Sequence, residues 1–186
     1  MKAKLGMSPI AWWNDDLVEL SRIEMGRFTV RTQRVRLDAL VSEVTDRLRP
    51  RAQFRGLNLT FEGPVSPVWA EIDALRITQV LNNLIENALK FVPSGGAIDV
   101  SVRPEGERHV LVSVADTGPG IPEPALARLF ERFYQVHSEP HRSTQGMGLG
   151  LYTCREIIGA HGGEIWAESV YGAGSTFRLR LERVTP

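Results

Sequence analysis

The stretch QVLNNLIENALKF, residues 79–91, decides how this chain folds. It is built mainly of Leu, Ile and Ala at helical spacing, so one face of a helix seeks a core. Asn83, Asn87 and Lys90 fall at i, i+4 and i+7, which puts two amides and an ammonium on one shared face. An asparagine carbonyl is a hard oxygen ligand suited to Mg²⁺, and an ammonium can meet a phosphate oxygen. A triphosphate would bring the negative charge the trio lacks. Taken alone, the same polar stripe also fits a solvated helix face. Asp73 opens this helix, and Pro93 with glycines 95 and 96 closes it after Phe91.

Outward from this helix the pattern alternates between strand and helix. Downstream, AIDVSVR (97–103) and HVLVSVAD (109–116) read as neighbouring strands joined by the turn PEGE. Upstream, LNLTF (57–61) reads as a strand. Leu37, Leu40, Val41, Val44 and Leu48 mark an amphipathic helix from Leu37 to about Phe54, with Asp38 in its first turn and Pro50 expected to disturb its end. Phe28, Val30 and Val35 suggest short strand material. Residues 12–25 (WWNDDLVELSRIEM) read as a helix stopping before Gly26. Helical stretches at 123–133 and 147–160 flank the polar segment QVHSEPHRSTQG, and EIWAESV and STFRLRLE end the chain as two strands around YGAG. The sum is an α/β two-layer sandwich, about three helices against one mixed sheet, preceded by a short helix. Residues 1–26 are expected to be a tail and a helix end, and 27–186 the domain proper.

Composition narrows the function classes. Lys plus Arg and Asp plus Glu both number 22, so no global field favours nucleic acid or an anionic membrane, and phosphate must be held by local groups. Cys154 is the single cysteine and sits in a helical pattern, which suits a buried structural thiol. No apolar run approaches the roughly 20 residues of a membrane helix, and the N-terminus lacks the apolar core of a signal peptide. A soluble, cytoplasmic domain is the expectation.

Three further stretches bear on chemistry. DTGPGIP (116–122) follows an apolar strand, and Gly118 and Gly120 allow a sharp turn and close approach of a ligand. Asp116, acceptor-only when ionised, could take a hydrogen bond from the exocyclic amine of adenine and would repel the oxygen guanine offers there. The same string is also a good β-turn. GMGLGL (146–151) leads into a helix whose first amides could bind phosphate. It lacks the Lys-Ser/Thr of a Walker loop and the βαβ context of a dinucleotide fold. In YGAGSTF (171–177), Ser175 could set a hydroxyl beside a base, although the string alone is an ordinary hairpin turn.

Together these motifs resemble the catalytic domain of sensor histidine kinases. That domain belongs to a superfamily with gyrase-type topoisomerases, mismatch-repair ATPases and the ninety-kilodalton heat-shock chaperones. QVLNNLIENALKF is similar to the asparagine box, DTGPGIP to the first glycine box and GMGLGL to the second. LFERFYQ (129–135) resembles the phenylalanine box, which the other branches lack, and GAHGGEIWAESVYGAGSTFRLRL resembles the C-terminal strand pair. The likeness runs from about Leu17 to Leu181.

The resemblance implies the Bergerat-type ATP fold, with ATP and Mg²⁺ as cofactors. By position, Asn87 would ligate the metal, Asn83 would support the water and metal shell, and Lys90 would contact phosphate. Asp116 would read adenine, with Gly118, Gly120 and Ile121 shaping its pocket. Gly146, Gly148, Leu149 and Gly150 would frame the phosphates, and Gln145 could reach the terminal one. Residues 134–145 would form a lid anchored by Phe130 and Phe133, with Arg132 contacting the γ-phosphate during transfer and Ser175 beside the base. His137 and His141 read as solvated lid residues. Glu86 neighbours Asn87 but points about 100° away around the helix, and no role is assigned to it.

The resemblance also marks what is missing. None of the four histidines, His109, His137, His141 and His161, has the context of a phosphoacceptor. LVELSRIEMGRF resembles the end of the second helix of the dimerisation hairpin, so the chain is expected to begin after the accepting histidine. The implied partners are that hairpin and, through the full-length kinase, a response regulator. Trp12 and Trp13 on a helix stub invite homodimerisation or fold back on the domain. A degenerate binding module and a serine kinase of the anti-sigma type are the alternatives. The intact polar anchors disfavour the first; the phenylalanine box and exit helix disfavour the second.

Overall fold

The computed structural model describes Ser21, Met25, residues 28–136 and residues 147–184. The expected helix over 12–25, apart from Ser21 and Met25, lies outside these residues, as do Gln145, Gly146 and the histidines of the expected lid. The elements are β1 (Gln33–Arg36), α1 (Leu37–Phe54), β2 (Asn58–Glu62), β3 (Trp69–Ile72), α2 (Ala74–Phe91), β4 (Ala97–Glu105), β5 (His109–Asp116), α3 (Glu123–Leu126), α4 (Gly150–Ala160), β6 (Glu164–Val170) and β7 (Gly174–Val184).

The strands form one mixed sheet around β7. Along one edge β7 pairs with β5, and β4 and β2 follow; along the other it pairs with β6 and, at its C-terminal end, with β3, which carries β1. The β2–β4 pair is parallel and the others are antiparallel. The expected α/β two-layer arrangement of a mixed sheet with three long helices is the observed one.

Alternation along the strands builds the second layer. Val100, Val102, Val112, Val114, Phe177 and Leu179 point inward, where they meet α1, α2 and α4. Helix α2 lies between α1 and α4 and buries Ile77, Val80, Leu81, Leu84, Ile85 and Leu89. Each such side chain contributes roughly 1.5–3 kcal/mol relative to exposure. The opposite sheet face is polar and solvates itself through paired charges: Arg178 with Glu168, Arg180 with Glu105 and Glu164, and Arg103 with Glu62.

Several local expectations need correction. Helix α1 reaches Phe54 as expected, and Pro50 inside it does not interrupt it. Pro50 and Asp46 are both exposed, so the carbonyl deprived of its N–H partner faces water. Asp38 does more than complement the helix dipole: buried, it accepts from Val68 N–H at 3.0 Å and pairs with Arg36, tying the start of α1 to the approach of β3. Strand β3 was not anticipated, although Val68, Ala70 and Ile72 alternate inward. Phe28 and Val30 are not in a strand. The helix expected over 123–133 is α-helical only to Leu126 and continues as turns, with Arg128, Leu129 and Glu131 each bonding three residues back. The helix expected from 147 starts at Gly150.

Cys154 is fully buried, as anticipated, and His161 has a structural task. Its Nε2 accepts the N–H of Asp73 at 2.9 Å, which requires Nδ1 to carry the proton it gives to Ile157 O at 2.7 Å. Asp73 in turn caps α2 by accepting from Arg76 N–H at 3.2 Å, and takes Arg31 N–H at 3.0 Å on its other oxygen. One imidazole therefore joins the end of α4 to the start of α2. His161→Ala should cost about 1–3 kcal/mol by leaving the Asp73 N–H unpaired, read as a lowered midpoint in urea denaturation.

Candidate functional site

The polar face of α2 meets the N-terminus of α4. Gly150 opens α4 close to Asn83: a Cβ placed on Gly150 would stand 3.5 Å from Asn83 Oδ1. Asn87 lies one turn further along the same face and Lys90 nearly another, so the trio runs away from the α4 terminus along α2. Asn83 and Asn87 are half-buried, and neither amide has a hydrogen-bond partner among the described residues. Lys90 is exposed at the helix end, with its ammonium 5.0 Å from the Phe91 ring centre, and partial burial lowers its pKa.

Glu86 points aside from that face, toward α1, in keeping with its offset of about 100° from Asn87. Its Oε1 lies 2.6 Å from Arg51 Nη1 on α1, so the carboxylate next to Asn87 serves an ion pair between α1 and α2.

Asp116 ends β5, half-buried, with Oδ1 accepting Gly118 N–H at 2.7 Å. Burial pushes its pKa above the ordinary carboxylate value, and the N–H groups of Gly118 and Ser175 oppose that rise. Ser175 is its register partner on β7 and is buried. Ile121 lies two residues past Pro119, where its N–H donates to Ser169 Oγ at 2.8 Å.

Two glycines let the strand end and the hairpin turn close on each other. Gly174 has φ +99°, and a Cβ there would fall 2.0 Å from the Asp116 carbonyl. Gly120 has φ +70°, and its Cβ would meet Val170 O at 2.2 Å. No side chain fits at either position.

The phenylalanine-box segment reaches the second glycine box through backbone. Phe133 N–H donates to Gly148 O at 3.0 Å. The Phe133 ring is 61% exposed, so it does not anchor this segment as expected; buried Leu129 and half-buried Phe130 pack on the core instead. Phe133 itself takes φ +60°, an uncommon conformation for a large side chain. The Arg132 guanidinium stands 5.3 Å over the Tyr152 ring, two residues beyond Gly150. Leu149 is fully buried in a small cluster with Tyr152 and Met147, so only its backbone remains for a ligand. A pocket of about 510 Å³ opens beside this segment, lined by Pro122, Pro124, Arg128, Arg132 and Tyr134 among others. None of Asn83, Asn87 or Asp116 lines it.

Reading the sequence missed Ser169 and Gly174 at this site. A serine within EIWAESV carries no distinguishing spacing. Gly174 stood in the quoted turn, but only the register shows that it faces Asp116.

A family described as histidine kinase-, DNA gyrase B-, and HSP90-like ATPase matches residues 72–185. The adaptive-response sensory kinase SasA of Synechococcus sp. (strain JA-3-3Ab) is 35% identical over 166 residues, 89% of this chain and 44% of that protein. The sensor histidine kinase WalK of Bacillus subtilis (strain 168) is 35% identical over 168 residues, 90% of this chain and 27% of that protein. Among solved structures, full-length ShkA in complex with AMPPNP aligns with a TM-score of 0.80 at 28% identity, over 92% of this chain and 35% of that one. The nucleotide-free catalytic domain of histidine kinase ThkA aligns at 0.72 and 32% identity, over 82% of this chain and 95% of that one. The chain belongs to the histidine kinase-, DNA gyrase B-, and HSP90-like ATPase family, and within it to the ATP-binding catalytic domains of sensor histidine kinases. It spans less than half the length of these two curated relatives.

The raised pKa of Asp116 carries a consequence for stability. Its folded-state value lies above its unfolded one, so stability from this group falls as pH rises between the two values and stays reduced above them. At neutral pH the ionised carboxylate is a cost. Asp116→Asn keeps an acceptor for Gly118 N–H and removes that cost. Its thermal midpoint at pH 7 should equal or exceed that of the wild type; a clear drop would contradict the assignment.

Proposed function

We propose that this domain binds ATP with Mg²⁺ and transfers the γ-phosphoryl group to a histidine on a helical hairpin. The observation that carries the reading is the meeting of the Asn83–Asn87–Lys90 face with the N-terminus of α4, with the Asp116 carboxylate held at the end of β5. The first group suits phosphates and the second suits an amine on a base.

The donor set fits Mg²⁺. Asn87 offers one hard oxygen on a half-buried amide without a partner among the described residues, and Mg²⁺ commonly takes few protein ligands beside phosphate oxygens and water. When bound, the ion neutralises charge on the phosphates. Asn83, one turn earlier, would hold water of its shell, and Lys90 would meet a phosphate oxygen. The backbone from Gly148 to Gly150, with Gly146 and Gln145 beyond the described residues, would cradle the phosphates at a helix N-terminus. Arg132, held near α4 over Tyr152, would contact the γ-phosphoryl group during transfer. Asp116 would accept from the adenine amine, with Gly118, Gly120 and Ile121 forming the wall and Ser175 the far side.

In-line transfer to an imidazole requires positioning and charge neutralisation more than covalent chemistry from the enzyme. The pairing of Glu86 with Arg51 supports leaving it out of the chemistry. In this reading residues 1–26 are the tail and hairpin end, 27–186 the catalytic domain, and the hairpin and a response regulator the partners of the whole kinase. The ThkA structure solved in complex with the response regulator protein TrrA aligns over 94% of this chain at 26% identity, with a TM-score of 0.73. No helix among the described residues is long and apolar enough to cross a membrane, and a cytoplasmic setting is part of the proposal.

Calorimetric titration tests the site. Wild type should bind ADP and a non-hydrolysable ATP analogue, with weak competition from GTP. Asp116→Asn should lose at least tenfold in affinity, and Asn87→Ala should lose the enhancement by Mg²⁺. Because ligand recognition needs the ionised carboxylate, affinity should also fall on acidification, at a higher pH than an unperturbed Asp would give. Absence of binding heat from folded wild type would refute the assignment.

A further inference from the structure

Ser169 sits at the end of β6, where one hydroxyl meets three partners. Its Oγ accepts the Ile121 N–H at 2.8 Å, donates to Gly174 O at 2.7 Å and lies 3.0 Å from Ser175 Oγ. The directions follow from valence. An amide N–H only donates and a carbonyl only accepts, so the single hydroxyl hydrogen of Ser169 is committed to Gly174. Ser175 must then donate to Ser169, which fills both lone pairs of the Ser169 oxygen. The hydroxyl is saturated, and Ser175 is left as an acceptor toward anything else it meets.

These partners flank the Asp116 carboxylate. Ile121 belongs to the same loop as Gly118, whose N–H holds Asp116 Oδ1. Gly174 packs on the Asp116 carbonyl, and Ser175 supplies the other N–H acting on the carboxylate. The loop after β5 and the turn between β6 and β7 also touch through Gly172 N–H, which donates to Pro119 O at 2.7 Å. Ser169 joins the two sides through its hydroxyl, as the Asp116 carboxylate does through Gly118 and Ser175.

We infer that Ser169 is a positioning residue for base recognition, holding the Ile121 loop and the Gly174–Ser175 backbone in the register that aims the Asp116 carboxylate. The inference rests on the reading of Asp116 as the group that selects a base bearing an amine. Ser175, with its hydrogen spent, adds a second acceptor at that wall. The pocket thus favours a purine with a donor at its six position and disfavours one with a carbonyl there.

The test uses the whole chain with ADP and inosine diphosphate, which carries a carbonyl where ADP carries the amine. Affinities are measured by calorimetry for wild type, Ser169→Ala, Ser169→Thr and Ser113→Ala. Ser113 binds Arg178 on the open sheet face and controls for general loss of a strand hydroxyl. Wild type should prefer ADP. Ser169→Ala should weaken ADP about tenfold with little change for inosine diphosphate, so the preference shrinks. Ser169→Thr, which keeps the hydroxyl, should restore it, and Ser113→Ala should leave it alone.

Amide hydrogen exchange gives a readout that needs no ligand. Ile121 should be protected in wild type and lose protection in Ser169→Ala. An unprotected Ile121 in wild type overturns the inference, as does a folded Ser169→Ala that keeps the full ADP preference. Equal weakening of both nucleotides would make Ser169 merely structural and overturns it too. If wild type itself binds both alike, the base-reading role of Asp116 fails and takes this inference with it, an outcome distinct from the others.

Discussion

The eight antiparallel pairs between β5 and β7, from His109–Glu182 to Asp116–Ser175, are the constraint on which the rest depends. Strand register has a period of two, so slipping this ladder by one residue would turn Val110, Val112 and Val114 away from the core. The same slip would move Asp116 off Ser175 and Gly174. Core packing and the proposed recognition of the base therefore depend on one ladder, and a strand that buries valine on every second residue also delivers a carboxylate to a defined edge. Strand β7 extends the effect, since β6 and β3 pair along its other side.

The second half of the site is fixed from the helical layer. Helix α2 has two obligations: its apolar stripe fills the core, and its remaining face presents Asn83, Asn87 and Lys90. The stripe fixes the helix's rotation, because turning the amides elsewhere would expose Leu84 and Ile85. Its axial position is set at its start, by the Asp73 cap and the His161 bond to Asp73 N–H. Since His161 ends α4 while Gly150 begins it, the same helix that supplies the expected phosphate-binding terminus also holds the start of α2. Packing of α4 on α2, together with the His161 bond at its far end, leaves Gly150 beside Asn83.

Much of this was legible in the sequence wherever periodicity was sustained. Residues 74–91, 97–103 and 109–116 carry enough repeats for helix and strand to separate clearly, and the Asp73 start and the Gly-rich punctuation mark their limits. Four-residue β3 was missed because two prolines precede it and only Val68, Ala70 and Ile72 alternate. The expected helix over 123–133 failed for a different reason. Its apolar spacing is shared by a run of three-residue turns, and the chain must reach a left-handed Phe133 to bond Gly148. Motif strings singled out Asn83, Asn87, Lys90 and Asp116, the residues of the proposed site. They could not show Ser169, because a hydroxyl gains its role from three partners that are separated in sequence by up to 48 residues.

The balance of charge also acquires a structural meaning. Acids and bases are equal in number, yet they are not spread evenly in function. On the open sheet face arginines are matched to carboxylates in largely exposed pairs, each worth little to stability. The α2 face is built differently, with neutral amides and one partly desolvated ammonium. Neutral amides cost less to half-bury than charges, and they do not need counter-ions before a ligand arrives. Asp116 is the exception, and burial has already moved its pKa toward the neutral form. In the proposed reading, the half-buried carboxylate thus carries an electrostatic cost at the position that would select the base.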